Sequence, residues 1–217
     1  MNRTHDRRGE PASRAEVRRR KLIDAARKLF IENGFHATGI AQIARESGIA
    51  VGQIYRDFAS KEEIVAALVE VDCGGFMQAD VLDAAIRAGD HDAVSAWLKH
   101  LVNSDEDLEE SRLFAEIVAE SSRNDRIAAI FTTLQDDIRG NILAALSLLA
   151  PGNEAAERRI VLSDAIMTFS LGLLHHRLIR PALHVAPLVE TLRAIIDEQV
   201  RALRTRPDRD HRIIPRA

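Results

Sequence analysis

A chain of 217 residues with 46% apolar side chains is long enough for one large core or two small ones, and 4% aromatics beside abundant Ala, Leu, Ile, Arg and Glu favour helix over strand. The net charge of −3 gives no general pull toward a polyanion, yet residues 1–61 hold 13 Lys/Arg against 7 Asp/Glu, net +6, and residues 62–217 hold 17 against 26, net −9. The single cysteine, Cys73, excludes an internal disulfide framework and fits a reducing cytoplasm, and the polar N-terminus lacks a signal-peptide apolar core.

Residues 1–13 are polar and aperiodic and read as a flexible basic arm. A first helix is expected from about Arg14 to Asn33, with Leu22, Ala26, Leu29 and Phe30 as its buried stripe. Its run Arg18-Arg19-Arg20-Lys21 either faces a polyanion or is a solvated helix start. Gly34 ends it, and Phe35 folds back over the core. Ile40, Ile43 and Ala44 then lie at helical spacing, with Thr38 placed to cap that helix and Gly48 to stop it in the left-handed conformation. Ile49 anchors the turn. A second short helix runs from about Val51 to Phe58, with Ile54 and Phe58 inward. Val51, Gln53, Tyr55 and Arg56 point the other way, and suit base edges and phosphates in a major groove.

A helix–turn–helix alone is also a common packing corner. The residues Gly34-Phe35, Ala37-Thr38, Ile43-Ala44, Gly48-Ile49, Gly52, Tyr55, Phe58 and Ser60-Lys61-Glu62-Glu63 closely resemble the N-terminal signature of the TetR/AcrR family of transcriptional regulators. The resemblance is specific over about residues 18–68; beyond them it rests on length and helical layout. It implies DNA contacts from Gly52, Gln53, Tyr55 and Lys61, the last two to phosphate; with Val51 and Arg56 of the outer face and Thr38, Gln42 and Arg45, these are the candidate DNA-facing residues. Three positions depart from the family pattern. Ala50 stands where a Ser or Thr usually caps the recognition helix, Asp57 where a His or aromatic faces the backbone, and Ala41 where a longer polar side chain reaches DNA. If Asp57 faces the backbone its carboxylate repels phosphate, unless it pairs with Arg56 or Lys61.

Ser60 and Glu63 read as a capping box opening a long helix, with Ile64, Leu68 and Val71 on its buried stripe. That helix is expected to persist to about Ala88, interrupted at Gly74-Gly75 and closed by Gly89-Asp90. The glycine pair is either a close-packing site or a soft point between head and body. Further helices are expected over about His91–Val102, about Asp107–Ser122 and, capped by Asn124, on to about Leu149. The apolar run Ile142–Ala150 is too short to span a bilayer, so no membrane is expected as a partner. Pro151-Gly152 makes a turn, a long helix follows over about Glu154–Ile179, Arg180-Pro181 breaks it, and Pro187 starts a last helix running to about Leu203.

The adjacent His175 and His176 point about 100° apart on a helix and cannot easily share a metal, so neither a metal nor a cofactor is expected. No nucleophile elbow or Gly-rich phosphate loop supports an enzyme. By resemblance a ligand pocket lies among the middle helices, with Phe76, Met77, Trp97, His100, Phe114, Ile117, Phe131, Gln135, Met167 and Phe169 as candidates. Each also serves as plain core, since any helix needs an apolar stripe to fold. Gln135 would need a polar partner if buried, and a cavity of this lining favours a small, mostly apolar effector. By resemblance too, the last two long helices form a homodimer, through Leu171, Gly172, Leu188, Leu192, Ile195 and Ile196.

The expectation is an all-α cytoplasmic protein with a flexible arm (1–13), a three-helix DNA-binding head (14–61), a larger helical ligand-binding and dimerisation body (62–204) and a disordered tail (205–217). By resemblance it is a ligand-responsive repressor, homodimeric on a palindromic double-stranded DNA operator. The alternative is a DNA-binding dimer whose body recruits a protein partner instead of a small ligand.

Overall fold

The computed structural model describes residues 13–103 and 108–205; residues 1–12 of the expected arm (1–13) and all of the expected tail (205–217) beyond Thr205 lie outside them. Among the described residues ten α-helices and no strand occur. The first three are α1 (Arg14–Ala37), α2 (Ile40–Ser47) and α3 (Val51–Asp57), and α4 (Lys61–Met77) and α5 (Ala79–Ala88) follow. The rest are α6 (His91–His100), α7 (Leu108–Ser121), α8 (Asp125–Leu149), α9 (Ala156–Ile179) and α10 (Ala186–Arg204).

Ser13, expected in the arm, is instead the N-cap of α1: its hydroxyl accepts the Glu16 N–H (3.2 Å) and the Glu16 carboxylate accepts the Ser13 N–H (2.6 Å). Gly34 breaks the regular helix at φ 81°, and one more turn carries Phe35 into the core. A side chain at Gly34 would also strike the Glu116 carboxylate of α7, 2.7 Å from the Cβ position. That carboxylate accepts the Phe35 N–H (2.8 Å), and Glu120 one turn on pairs with His36 (2.7 Å), so α7 is stitched to the end of α1. Gly48 stops α2 at φ 70°, as its sequence position implies. Asn124 caps α8 by accepting the Arg126 and Ile127 N–H groups.

The expected single helix to Ala88 is two helices. The break is at Gln78 (φ 44°), not at Gly74-Gly75, which lie inside α4. Two side chains of α6 account for it. The indole N–H of Trp97 donates to the Met77 carbonyl (2.7 Å), and Nε2 of His100 hydrogen-bonds the Phe76 carbonyl (3.0 Å). These are last-turn carbonyls that a continuing helix would bond internally, so α6 caps α4 from the side. The Ser60 box also differs in one bond. Ser60 accepts the Glu63 N–H, but the Glu63 carboxylate returns to the Ala59 N–H (2.7 Å).

The apolar residues form two clusters. The first joins the head (Phe30, Ile43, Ile54, Phe58) to Ile64 and Leu68 of α4, Ile117 of α7 and Ile127 and Phe131 of α8. The second holds Leu82, Trp97, Leu146, Ile166 and Ile196 from α5, α6, α8, α9 and α10. α8 belongs to both, and the first core crosses the expected boundary at residue 61 without interruption.

Candidate nucleic-acid interface and ligand cavity

α3 is held from beneath by Ile54 and Phe58, 0% and 2% exposed. Its outer side presents Val51 and Tyr55, 41% and 54% exposed, with Gly52 and Arg56 also exposed and Gln53 half-buried. A Cβ at Gly52 would meet nothing within 4 Å among the described residues, so its bareness serves no packing against them. Ala50 is the N-cap of α3 and supplies no side-chain hydrogen bond. Arg45 of α2 is exposed beside them, while the Gln42 side-chain oxygen accepts the Gly39 N–H (2.6 Å).

Three residues stand differently from the sequence expectation. Thr38 does not cap α2 or face outward. It is fully buried, its hydroxyl lies within reach of the Leu29 and Gly34 carbonyls (3.1 and 2.9 Å), and Gly39 is the N-cap. Lys61 turns back into the head. Its ammonium donates to the Phe35 and Thr38 carbonyls (2.7 and 3.1 Å) and sits 3.9 Å over the Phe35 ring. Burial holds its pKa below the ordinary lysine value. Asp57 pairs with neither Arg56 nor Lys61. Its carboxylate accepts two hydrogen bonds from Arg18 of α1 (2.6 and 2.9 Å), which hold its pKa below the ordinary aspartate value against the opposing effect of burial. Arg19 stacks 4.3 Å over Phe58. The basic run of α1 is thus partly structural: two of its arginines bind the end of the recognition helix, and Arg20 and Lys21 are exposed.

The body contains a cavity of about 580 Å³ between the two cores. Of the expected pocket residues, Phe76, Met77, Phe114, Phe131, Gln135 and Met167 line it. The other four do not. Trp97 and His100 cap α4 instead, Ile117 is buried in the first core and Phe169 packs on the second. The sequence reading missed Asp72 and Cys73 of α4, Ser111 of α7 and Arg177 of α9, polar side chains lining the same space. Leu171, expected at a dimer face, also lines it and is 39% exposed. Ile196 is 1% exposed and belongs to the second core, so it cannot contact a second copy; Leu188, Leu192 and Ile195 are half-buried. Gly172 is exposed and open to close approach. The most exposed apolar side chains of α9, Val161 (69%) and Ile179 (71%), were not anticipated.

Residues 22–68 match the bacterial regulatory proteins of the tetR family. Over these residues the chain carries the N-terminal DNA-binding domain of the tetR family of regulatory proteins. It is similar to the HTH-type transcriptional regulator BetI of Rhizobium meliloti (strain 1021), 27% identical over 188 residues covering 86% of this chain and 89% of the relative. Its fold matches Salmonella enterica GusR with a TM-score of 0.65 at 22% identity, covering 88% of this chain and all of that one. It also matches the SmeT–triclosan complex with a TM-score of 0.65 at 19% identity, covering 92% of this chain and 100% of that one. The match and these relatives mark a DNA-binding transcriptional regulator, not an enzyme. Among its described residues no helix is long and apolar enough to cross a membrane.

Proposed function

We propose that this regulator is a homodimeric repressor that occupies a palindromic operator with two heads and leaves it when a small, mostly apolar effector fills the body cavity. The observation that carries the reading is the cavity wall. Val69, Asp72, Cys73 and Phe76 on one side of α4 line a space of about 580 Å³, within the size range of small-molecule sites, and α4 begins at the head. Filling that space acts on the helix that enters the DNA-binding unit. α7 adds a second route, since Phe114 and Val118 line the cavity and Glu116 and Glu120 hold the end of α1. The neighbouring fold of SmeT is described with triclosan, a mostly apolar molecule, which supports an apolar effector here.

On DNA, Val51, Gly52, Gln53 and Arg56 face base edges, and Tyr55, Gln42 and Arg45 face the backbone. Lys61 and Thr38 act by fixing the head's shape. Two-fold symmetry sets the heads about 34–36 Å apart, one helical turn of DNA. Leu171, Gly172, Leu188, Leu192 and Ile195, joined by the exposed Val161 and Ile179, form the dimer face on α9 and α10. The test pairs two measurements on one panel of apolar compounds. An effector should raise the melting temperature and lower affinity for an operator obtained by selection from random DNA. A compound that stabilises the protein through the cavity and leaves operator affinity unchanged would sink the reading.

A further inference from the structure

Among the described residues the cavity wall contains one carboxylate, Asp72, and its partner belongs to the DNA-binding head. Asp72 lies on the cavity face of α4 with Val69, Cys73 and Phe76. Its two oxygens accept hydrogen bonds from the two terminal nitrogens of Arg27 on α1, one at 2.7 Å and the other shorter. Both side chains are mostly covered, 20% exposed for Arg27 and 32% for Asp72. Arg27 is not among the lining residues, so a molecule entering the cavity meets the carboxylate and not the guanidinium. The rest of the wall is largely hydrocarbon and aromatic ring, from Phe114, Phe131, Ile138, Ile142 and Met167.

Resting on the cavity reading above, we infer that the effector is an amphiphile with a cationic group, and that this cation engages Asp72 in competition with Arg27. A carboxylate in apolar surroundings is poorly hydrated and attracts positive charge more strongly than one in water. The bidentate pair occupies one acceptor direction on each oxygen and leaves others open. An anionic head group would be repelled at Asp72 and attracted at Arg177. Arg177 lines the same cavity from α9 and has interactions of its own, so the anionic alternative is a necessary arm of the test. Competition has a consequence that simple cavity filling lacks. The Arg27–Asp72 pair joins α1 to α4, so a cation that draws Asp72 away loosens that tie only in the ligand-bound state. Such a differential contact is what coupling between two sites requires.

The experiment uses the full chain and three matched probes below their micelle-forming concentrations: decyltrimethylammonium, decanoate and decanol. Calorimetry measures binding, and fluorescence anisotropy measures affinity for the selected operator. The cation should bind at least about tenfold tighter than the other two and be the probe that lowers operator affinity. Asp72→Asn should abolish the preference. Arg27→Gln should do the reverse, tightening the cation several-fold because its competitor is gone, while shrinking the effect of that probe on operator binding. Arg27→Gln decides the matter even if Asp72→Asn does not fold. Decanoate or decanol binding as tightly as the cation would overturn the inference and leave the cavity reading intact. Binding by none of the three would overturn both. Unchanged cation affinity in Arg27→Gln would overturn the competition.

Discussion

In the head, covered polar groups are matched one by one: Thr38 to two carbonyls of α1, Lys61 to Phe35 and Thr38, Asp57 to Arg18. In the body, the helices enclose a cavity of about 580 Å³, and Ser163 on α9 is a buried hydroxyl without a hydrogen-bond partner among the described residues. The head is over-determined because it must present α3 in one geometry to a rigid duplex. The body leaves open the space that the proposed effector would fill, and close packing there would remove it. The two regions are not separate units, since α4, α7 and α8 carry the head's core into the body. Strain introduced at the cavity therefore has a packed path to the recognition helix.

The largest effect is expected where the body acts on DNA without touching it. Val161→Asp or Ile179→Asp puts a charge on the exposed apolar side of α9. Loss of the dimer removes the gain from holding two half-sites at once, so operator affinity should fall about 100-fold or more while the head stays folded. Sedimentation and anisotropy on the same sample check it. A variant that stays dimeric with unchanged affinity would remove those residues from the interface.

The second effect separates structural residues of the head from DNA-reading ones. Lys61→Ala leaves two carbonyls without their donor and removes the cation over Phe35, and should cost about 1–3 kcal/mol of stability in urea unfolding without DNA. Gln53→Ala should leave stability nearly unchanged and weaken the selected operator by about 1–3 kcal/mol relative to random DNA, if it makes a bidentate base contact. Unaltered stability in Lys61→Ala would return that residue to a purely phosphate-binding role.

Which of these features could be read from sequence follows from how far apart the partners lie. Gly48, Asn124 and the Ile54/Phe58 face obey local rules, where a residue's neighbours within one turn decide its role, and they stand as read. The partners of Asp57 and Lys61 escape such rules, because Arg18 is 39 residues from Asp57 and the Lys61 acceptors are 26 and 23 residues away. Trp97 and His100 carry the same lesson: an aromatic with a polar atom on an inner face is drawn to a binding site or to an unbonded carbonyl, and spacing does not separate the two. The apolar stripes marked Phe114 and Phe131 as inward correctly, and Ile117 equally. Periodicity reports that a side chain leaves water, not whether it meets protein or empty space.

Gly74-Gly75 gives a smaller effect. A Cβ at either position meets nothing within 4 Å among the described residues, which removes close packing against them as a reason for the pair. Gly74→Ala/Gly75→Ala should therefore raise stability, by about 0.5–1 kcal/mol per site from helix propensity. Gly75 borders the cavity, so the same variant asks whether α4 must bend there. A stabilised variant with undiminished coupling of effector to operator would exclude that role.

The smallest effect is at Asp57, where water and salt screen a pair near the surface. Because its pKa in the folded protein lies below the ordinary value of 3.8, the unfolded chain binds more protons between those two values. The stabilisation from Arg18 is thus fully present above the ordinary value and is lost as pH falls through the lowered one. Asp57→Asn should melt slightly below the parent at neutral pH, and the gap should close in acid. A carboxylate that only repelled phosphate would make Asp57→Asn tighten DNA binding. One that anchors α1 to the end of α3 makes it weaken binding, because Arg18 loses its charged acceptor and the recognition helix loses a brace. The geometry favours weakening, and anisotropy at low and high salt separates the two, since relief of repulsion would show most at low salt and loss of the brace would persist at high salt.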